Sequence, residues 1–303
     1  MLLIFWQVIA PILVMMGVGF IVQKRLGLDI KSLTRLNFWI FIPAFLFVRI
    51  VESKLTSRQM FEVVVHFTLV FAIMAVVTWQ AARLVGAQER LRRAMTSAVL
   101  FYNAGNFGVP AATLAFGGAG DSIQALVVML QNTTNFTIGL ALHAGGREGS
   151  HWRENVRDML RLPMIHTLAL ALLWRASGWT MPFPLKESLR YLANGLVPIA
   201  LVTLGAQMAT LKSYRFRREM ALSLFLRLVF APLLAFALVR AMGIGGILAK
   251  SLIVAASFPT AVNSALIAIE YDNEPDFSAA VVFYSTLASV FTVSFVIYAV
   301  KNW

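Results

Sequence analysis

The sequence YNAGNFGVP, residues Tyr102–Pro110, interrupts an apolar run that extends from about Ala94 to Phe116. Proline removes a backbone donor and clashes with the preceding helical turn, and glycine weakens a helix on either side of it. A helix broken in hydrocarbon would expose backbone groups that cost several kcal/mol each. Two interpretations stay open for this stretch alone: a Pro-kinked membrane helix with satisfied amides, or a substrate site at the middle of the membrane.

A second apolar run, from Gly246 to Glu270, is interrupted in the same way by SFPTAVNS, residues Ser257–Ser264. Its Pro259 follows Pro110 by 149 residues, which is close to half of the 303-residue chain. A pair of Pro/Gly-interrupted segments at matching places in two halves is the best sequence pointer to a transporter's binding site. The two interruptions together therefore favour the substrate site.

The composition is that of an integral membrane protein. Hydrophobic residues make up 59% of the chain and charged residues 13%, against about 25% charged in ordinary soluble domains, and the mean hydropathy is +0.76. There is no cysteine, and the four histidines show no metal-ligand spacing, so we expect no metal, no other cofactor and no thiol chemistry. No motif of an intramembrane enzyme is present. The formal charge of +12 is explained by basic cytoplasmic loops and does not call for nucleic acid.

Ten apolar segments are long enough to cross a bilayer, although the second is short. Their even number places both termini on one side of the membrane. With the termini outside, sixteen Lys and Arg residues fall in predicted cytoplasmic loops and nine on the other side, which favours this orientation in the inner (plasma) membrane. The segments are residues 3–22, 36–51, 61–84, 94–116, 121–144, 159–177, 188–209, 219–242, 246–270 and 277–301.

The two halves of the chain read as weak repeats. Pro11 and Pro163 are 152 residues apart, and Pro43 and Pro198 are 155 apart, although prolines are also simply common in membrane helices. Five spans per half is an odd number, so the second half enters the membrane from the opposite side and the repeats are inverted. The predicted organisation is a first five-helix repeat over residues 1–144, a cytoplasmic connecting loop over 145–158 and a second, inverted repeat over 159–303.

With both interruptions in view, the sequence resembles the auxin efflux carrier family, which includes plant PIN carriers and bacterial permeases for malate, malonate and related acids. The resemblance is carried by NAGNFGVP at 103–110, by Pro259, by IEYDNEP at 269–275 and by AAVVF at 279–283. It implies an all-α membrane protein with ten transmembrane helices in two inverted five-helix repeats, similar to bile-acid/sodium symporters, in which broken helices four and nine cross. It also implies a scaffold of spans one, two, six and seven and a moving transport domain.

The residues at the two breaks suit an organic anion. Half-helices that begin at a break direct their N-terminal dipoles and N–H groups inward, which binds a carboxylate without a full positive charge. Asparagine both donates and accepts, and glycine lets a substrate approach the backbone. Amides of span five and hydroxyls of span ten are either substrate contacts or interhelical hydrogen bonds. The candidate substrate-binding residues are Asn103, Gly105, Asn106, Gly108, Pro110, Asn132, Asn135, Pro259, Thr260 and Asn263.

The predicted function is secondary transport of small organic anions such as carboxylates by an elevator-like movement across the lipid bilayer. The alternative is a membrane channel or sensor-like protein in which the broken helices act as hinges. No Asp or Glu lies deep inside a predicted span, so coupling to a proton or to sodium stays open, as does a homodimer. Arg227, about eight residues into span eight, is expected to snorkel to the membrane interface. His66 and His143 are expected to be packing residues with satisfied rings.

Overall fold

The computed structural model describes residues 1–144, 162–210 and 216–303. Regular structure in these ranges is helical, apart from one isolated antiparallel bridge between two residues. The all-helical prediction is therefore confirmed for the described part of the chain. The predicted connecting loop, residues 145–158, lies outside the described residues.

Seven helices in the described ranges are long and apolar enough to cross a membrane. They are α1, α2, α3, α5, α7, α8 and α11 in the numbering used below, and the shorter helices lie between them in the chain. The helices are α1 Leu2–Leu26, α2 Ile30–Val51, α3 Ser57–Leu84, α4 Glu89–Leu100, α5 Ala104–His143, α6 Pro163–Ser177, α7 Phe183–Thr210, α8 Arg218–Ala241, α9 Gly246–Ala255, α10 Val262–Glu270 and α11 Pro275–Lys301.

Four prolines in the long helices are preceded by a π-helical turn, whereas Pro198 lies within α7 without one. Proline has no N–H to donate, and its ring clashes with the carbonyl four residues earlier, so a wider turn just before it relieves both problems. In the described residues, four π-turns each end two residues before a proline. These turns are Phe5–Ile9 before Pro11, Asn37–Phe41 before Pro43, Ala104–Gly108 before Pro110 and Leu226–Phe230 before Pro232.

Helix α5 is too long for a single span. Its 40 residues would extend about 60 Å, against a hydrocarbon core of about 30 Å. Gly117 divides it, because its φ of 62° and ψ of −150° are not helical. This break falls in residues 117–120, GGAG, which lie between the fourth and fifth predicted segments. The break gives α5 two parts. The first, residues 104–116, begins four residues after the end of α4, and the second, residues 118–143, is a separate segment.

Two glycines allow α1 and α7 to pack with their backbones in contact. Gly19 of α1 lies against the backbone of Val202, and Gly205 of α7 lies against the backbone of Met16. A Cβ atom at either glycine would collide with the opposite main chain, which is the usual reason for small residues between membrane helices. Helix α2 packs on α6 and α7, so α1, α2, α6 and α7 form one packed group.

Candidate functional site

Helices α4 and α9 each stop inside an apolar run, and the two breaks meet. Tyr102 and Thr260 form the antiparallel bridge. The Asn103 N–H donates to the carbonyl of Pro259 at 2.7 Å, and a matching backbone hydrogen bond of 2.8 Å lies on the other side of the bridge. Each break therefore satisfies backbone groups that the other could not satisfy in hydrocarbon.

Two helices begin at this crossing. Asn103 is the N-cap of α5, and its Oδ1 accepts a hydrogen bond from the Phe107 N–H at 3.3 Å. Ala261 is the N-cap of α10. The N–H groups of a first helical turn, here including those of Gly105 and Asn263, have no acceptor in a preceding turn. Two positive helix ends consequently face the same place.

A polar cavity of about 50 Å³ lies at these helix ends. One water molecule needs about 10–15 Å³ by this measure, so the space is that of a few waters. Its wall comes from α2, from the break before α5, from the second part of α5 and from the start of α10, and none of the lining residues is charged. The polar side chains of the wall are Thr34, Asn37, Tyr102, Asn103, Asn106, Gln131, Asn132, Asn135 and Asn263.

Four buried amide atoms of this wall have no hydrogen-bond partner among the described residues. They are Oδ1 of Asn37, Nδ2 of Asn103, Oε1 of Gln131 and Oδ1 of Asn135. An unsatisfied buried polar atom costs about 1–3 kcal/mol, and native proteins contain few of them. All four residues line the same cavity, which indicates a place that is completed by water or by a ligand.

The other ends of two of these amides hold the wall together. Nδ2 of Asn37 donates to Oδ1 of Asn106 at 2.9 Å, which joins α2 to the start of α5. Nε2 of Gln131 donates to the carbonyl of Leu100 at 3.0 Å, at the last residue of α4. A half-helix leaves its last carbonyls without partners, and this bond satisfies one of them.

Six of the ten candidate residues line the cavity. They come from both breaks and from the second part of α5, so residues far apart in the sequence are brought together as a single group. The six residues are Asn103, Gly105, Asn106, Asn132, Asn135 and Asn263.

The other four candidates lie outside the cavity wall. Gly108 packs against the ring of Phe258, and Pro110 is buried within α5. Pro259 contributes its carbonyl to the crossing. Oγ1 of Thr260 donates to a carbonyl of α4 at 2.7 Å, and its N–H donates to Oγ of Ser285 in α11 at 3.1 Å. In the structure these four residues support the crossing.

Two polar residues of the cavity wall, Thr34 and Asn37, lie outside every stretch that the sequence marks as a candidate site. Both belong to α2, which carries neither a break nor a glycine cluster. A signal was present in the sequence, however, because Asn37 is an amide at the start of an apolar segment. In the structure it is 3% exposed. Polar side chains inside hydrocarbon mark functional or packing sites by default.

The expectation that Arg227 snorkels to the interface is wrong. The residue lies in the middle of α8 and is 2% exposed. Its guanidinium donates to the carbonyl of Val99 at 2.9 Å and to the carbonyl of Ala256, and it lies 4.7 Å from the ring centre of Tyr102. The side chain is held at the crossing because these carbonyls offer it hydrogen bonds that the apolar interior otherwise lacks.

A buried carboxylate lies near the other end of the first part of α5. Asp121 is 2% exposed, accepts a hydrogen bond from Oγ1 of Thr113 at 2.5 Å and pairs with Arg49 at 3.1 Å. Asp121 is the first residue of the predicted fifth segment, so its burial could not be predicted from the sequence. The ion pair is a second link between α2 and α5.

The two packed histidines have partners, as expected. His66 lies 3.2 Å from the carbonyl of Ala235, and His143 lies between Ser97 at 2.8 Å and Asn273 at 3.1 Å. Three or more acidic or histidine side chains do not gather anywhere in the described residues as a metal site would require.

The sequence model of a family described as "Membrane transport protein" matches residues 4–297. The chain belongs to this family. It is the auxin efflux carrier family that the two breaks resemble, so the recognition from sequence is confirmed. An "Uncharacterized transporter" of Methanothermobacter thermautotrophicus is 26% identical over 296 residues, 94% of each chain. A "Putative malonate transporter" of Rhizobium meliloti is 27% identical over 210 residues, 66% of this chain and 64% of that protein.

Proposed function

We propose that the protein is a secondary active transporter that binds the carboxylate of a small organic anion in the cavity at the crossing. The observation that carries this proposal is the unpartnered Nδ2 of Asn103, a residue of the cavity wall, beside the N-termini of α5 and α10. Membership of a membrane transporter family supports transport over a channel. The name of the Rhizobium meliloti relative supports a dicarboxylate such as malonate as the first acid to test.

The charge of the cavity suits one carboxylate. Each helix N-terminus carries about half an elementary positive charge, so the starts of α5 and α10 together supply about one. The wall contains no Lys or Arg side chain. An anion is therefore attracted by dipoles and N–H groups and is not held by a point charge, which favours release as well as binding.

The amides supply the hydrogen bonds that recognition needs. Nδ2 of Asn103 has no partner and is free to donate to a carboxylate oxygen. An amide presents either its oxygen or its NH₂ group when its end rotates by half a turn. Asn135 can accordingly donate to a second carboxylate or accept from a hydroxyl group of the substrate. Nε2 of Gln131 is held by the Leu100 carbonyl, so its Oε1 can accept from a substrate hydroxyl group.

The proposal includes ten spans with both termini outside, arranged as inverted repeats in the inner (plasma) membrane. Each break then lies within one span: α4 with the first part of α5 is the fourth, and α9 with α10 is the ninth. The second part of α5 is the fifth. Helix α6, which has 15 residues and adjoins the undescribed residues 145–161, belongs to the sixth span. The remaining six spans are α1, α2, α3, α7, α8 and α11.

An elevator-like movement fits the position of the cavity. Asn37, Phe38 and Ile42 of α2 form one side of the cavity, and the breaks and the second part of α5 form the other. A substrate bound here lies between the packed group that contains α2 and the helices of the crossing. We propose that the crossing carries the substrate past α2 and that the Asn37–Asn106 hydrogen bond is remade during the cycle.

Asn103→Asp provides the sharpest test of the anion site. The variant keeps the oxygen that caps α5 but removes the unpartnered NH₂ group and adds a negative charge. We expect malonate, malate or indole-3-acetate to raise the melting temperature of the detergent-solubilised wild type. The affinity of the variant for that acid should fall at least 10- to 150-fold, which corresponds to about 1.5–3 kcal/mol.

Asn302→Asp is the matched control, because Asn302 is exposed just beyond the last residue of α11. It should bind the acid like the wild type. If Asn103→Asp bound the acid with wild-type affinity, the proposal that the carboxylate binds at the crossing would be wrong. Uptake into proteoliposomes that saturates and is stimulated by acid on the opposite side would distinguish a carrier from a channel.

A further inference from the structure

The side of the crossing opposite the proposed anion site gathers two helix C-termini. Helix α4 ends at Leu100, and α9 ends at Ala255. The last carbonyls of a helix have no partner within it, and each C-terminus carries about half an elementary negative charge. The two ends together present about one negative charge in a buried place.

Arg227 supplies one positive charge at this place. Its guanidinium bonds to the carbonyls of Val99 and Ala256, one from each of the two helix ends, and lies over the ring of Tyr102. It forms no ion pair with any carboxylate of the described ranges. Its charge is thus balanced by the two helix ends and by the aromatic face.

A metal ion would need the same position. In carriers with broken helices, unwound carbonyls and half-helix C-termini coordinate the coupling sodium ion. Here a guanidinium already uses the Val99 and Ala256 carbonyls. The cavity beside Arg227 has a volume of about 20 Å³, which is room for about one water molecule.

We propose that Arg227 is a tethered cation that takes the place of a free metal ion at the crossing. The crossing therefore assembles without sodium, and Arg227 is a positioning residue that keeps the ends of α4 and α9 together while the starts of α5 and α10 face the anion. This inference goes beyond the proposed transport function. It is tested without any organic anion, so it can fail while the anion site stands, and the reverse also holds.

The first measurement concerns sodium. The melting temperature of the full-length wild type in detergent is compared in sodium chloride and in N-methyl-D-glucamine chloride at equal ionic strength. We expect equal values, because Arg227 already occupies the cation position. A rise that depends on sodium concentration and is not reproduced by potassium would overturn the proposal.

The second measurement asks whether charge or packing matters at residue 227. Arg227→Ala leaves a space into which guanidinium ion fits, and urea has nearly the same shape without the charge. We expect a lower melting temperature for the variant, raised again by millimolar guanidinium and not by urea. Equal effects of the two compounds, or no effect of either, would contradict the role of charge.

Two further variants keep the test decisive if Arg227→Ala does not fold. Arg227→Lys retains the charge and should give folded protein with a melting temperature closer to the wild type than Arg227→Met, which retains length without charge. A melting temperature of Arg227→Met that equals or exceeds that of Arg227→Lys would overturn the proposal. Arg240→Ala is the control, because Arg240 lies exposed near the end of the same helix, and it should melt like the wild type.

Discussion

Gly105 and Gly108 lie one turn apart at the start of α5, but the absence of a side chain matters differently at each. At Gly108 an added Cβ would lie 2.6 Å from Nε2 of Gln124 and 2.7 Å from the ring of Phe258. At Gly105 the nearest atom would be Cδ1 of Ile42, at 3.9 Å. Gly105 therefore faces the cavity, and Gly108 makes room for packing between the two breaks.

These surroundings predict opposite effects of the same substitution. Gly108→Ala should destabilise the protein by about 1–3 kcal/mol, because Phe258 must move. Gly105→Ala should leave stability unchanged or raise it by up to about 1 kcal/mol, because alanine favours a helix, and should weaken binding of the acid by filling part of the cavity. Melting temperature and affinity of both variants test this. A stable Gly108→Ala, or wild-type binding by Gly105→Ala, would refute the respective assignment.

The residues of the cavity show what a single sequence reveals and what it conceals. Asn103 and Asn106 were predictable, because two amides beside glycine and proline in an apolar run need a polar environment. Arg227 was misjudged, because hydropathy does not tell whether a long side chain reaches the membrane surface or an unpaired carbonyl. Its partners Val99 and Ala256 lie 128 and 29 residues away in sequence.

At the scale of elements, the prolines mark the neighbourhood of each break and not the break itself. Helix α4 ends at Leu100, and its continuation starts at Ala104, so the unwound residues precede Pro110. In α5 the proline is accommodated by the π-turn before it. The break is instead stabilised by Asn103, which caps the next helix, and by hydrogen bonds to the second break. These long-range bonds are invisible in local sequence patterns.

The antiparallel bridge at the crossing predicts a specific crosslink. The hydrogen bonds flank Tyr102 and Thr260, so these residues form a non-hydrogen-bonded pair with Cα atoms about 4.5 Å apart. That distance permits a disulfide. In this cysteine-free chain, Tyr102→Cys with Thr260→Cys should form a disulfide upon oxidation, measured as protection from a maleimide–polyethylene glycol mass label.

The control pair replaces Thr260→Cys with Glu270→Cys. Glu270 is exposed at the far end of α10, about 12 Å along the helix from its first residue. This pair should stay fully labelled after oxidation. Equal labelling of both pairs would mean that the two breaks do not meet in the membrane.

At the scale of the whole molecule, the two breaks place positive helix ends on one side of the crossing and negative helix ends on the other, and no charged side chain lines the cavity. The starts of α5 and α10 face the polar cavity, and the ends of α4 and α9 face Arg227. Tyr102 lies between the two places and borders both. A crossing of this kind offers one face to an anion and the other to a cation, and here we propose that the protein provides the cation itself.

The helix boundaries were largely predictable, because the length of an apolar segment reflects the thickness of the bilayer. Predicted residues 277–301 compare with Pro275–Lys301, and 219–242 with Arg218–Ala241. The packing of the helices was not predictable from periodicity. The Asn37–Asn106 hydrogen bond spans 69 residues, and hydropathy along a chain says nothing about which helices become neighbours.

The orientation in the membrane rests on sixteen basic residues against nine, and it yields a labelling prediction. Ser150→Cys lies in the predicted cytoplasmic loop, and Ser177→Cys lies at the exposed end of α6, on the opposite side if α6 crosses the membrane. In intact cells, a membrane-impermeant maleimide should label Ser177→Cys but reach Ser150→Cys only after permeabilisation. The cysteine-free background excludes labelling elsewhere in the chain. The reverse pattern would place both termini inside, and labelling of both positions in intact cells would mean that α6 does not span.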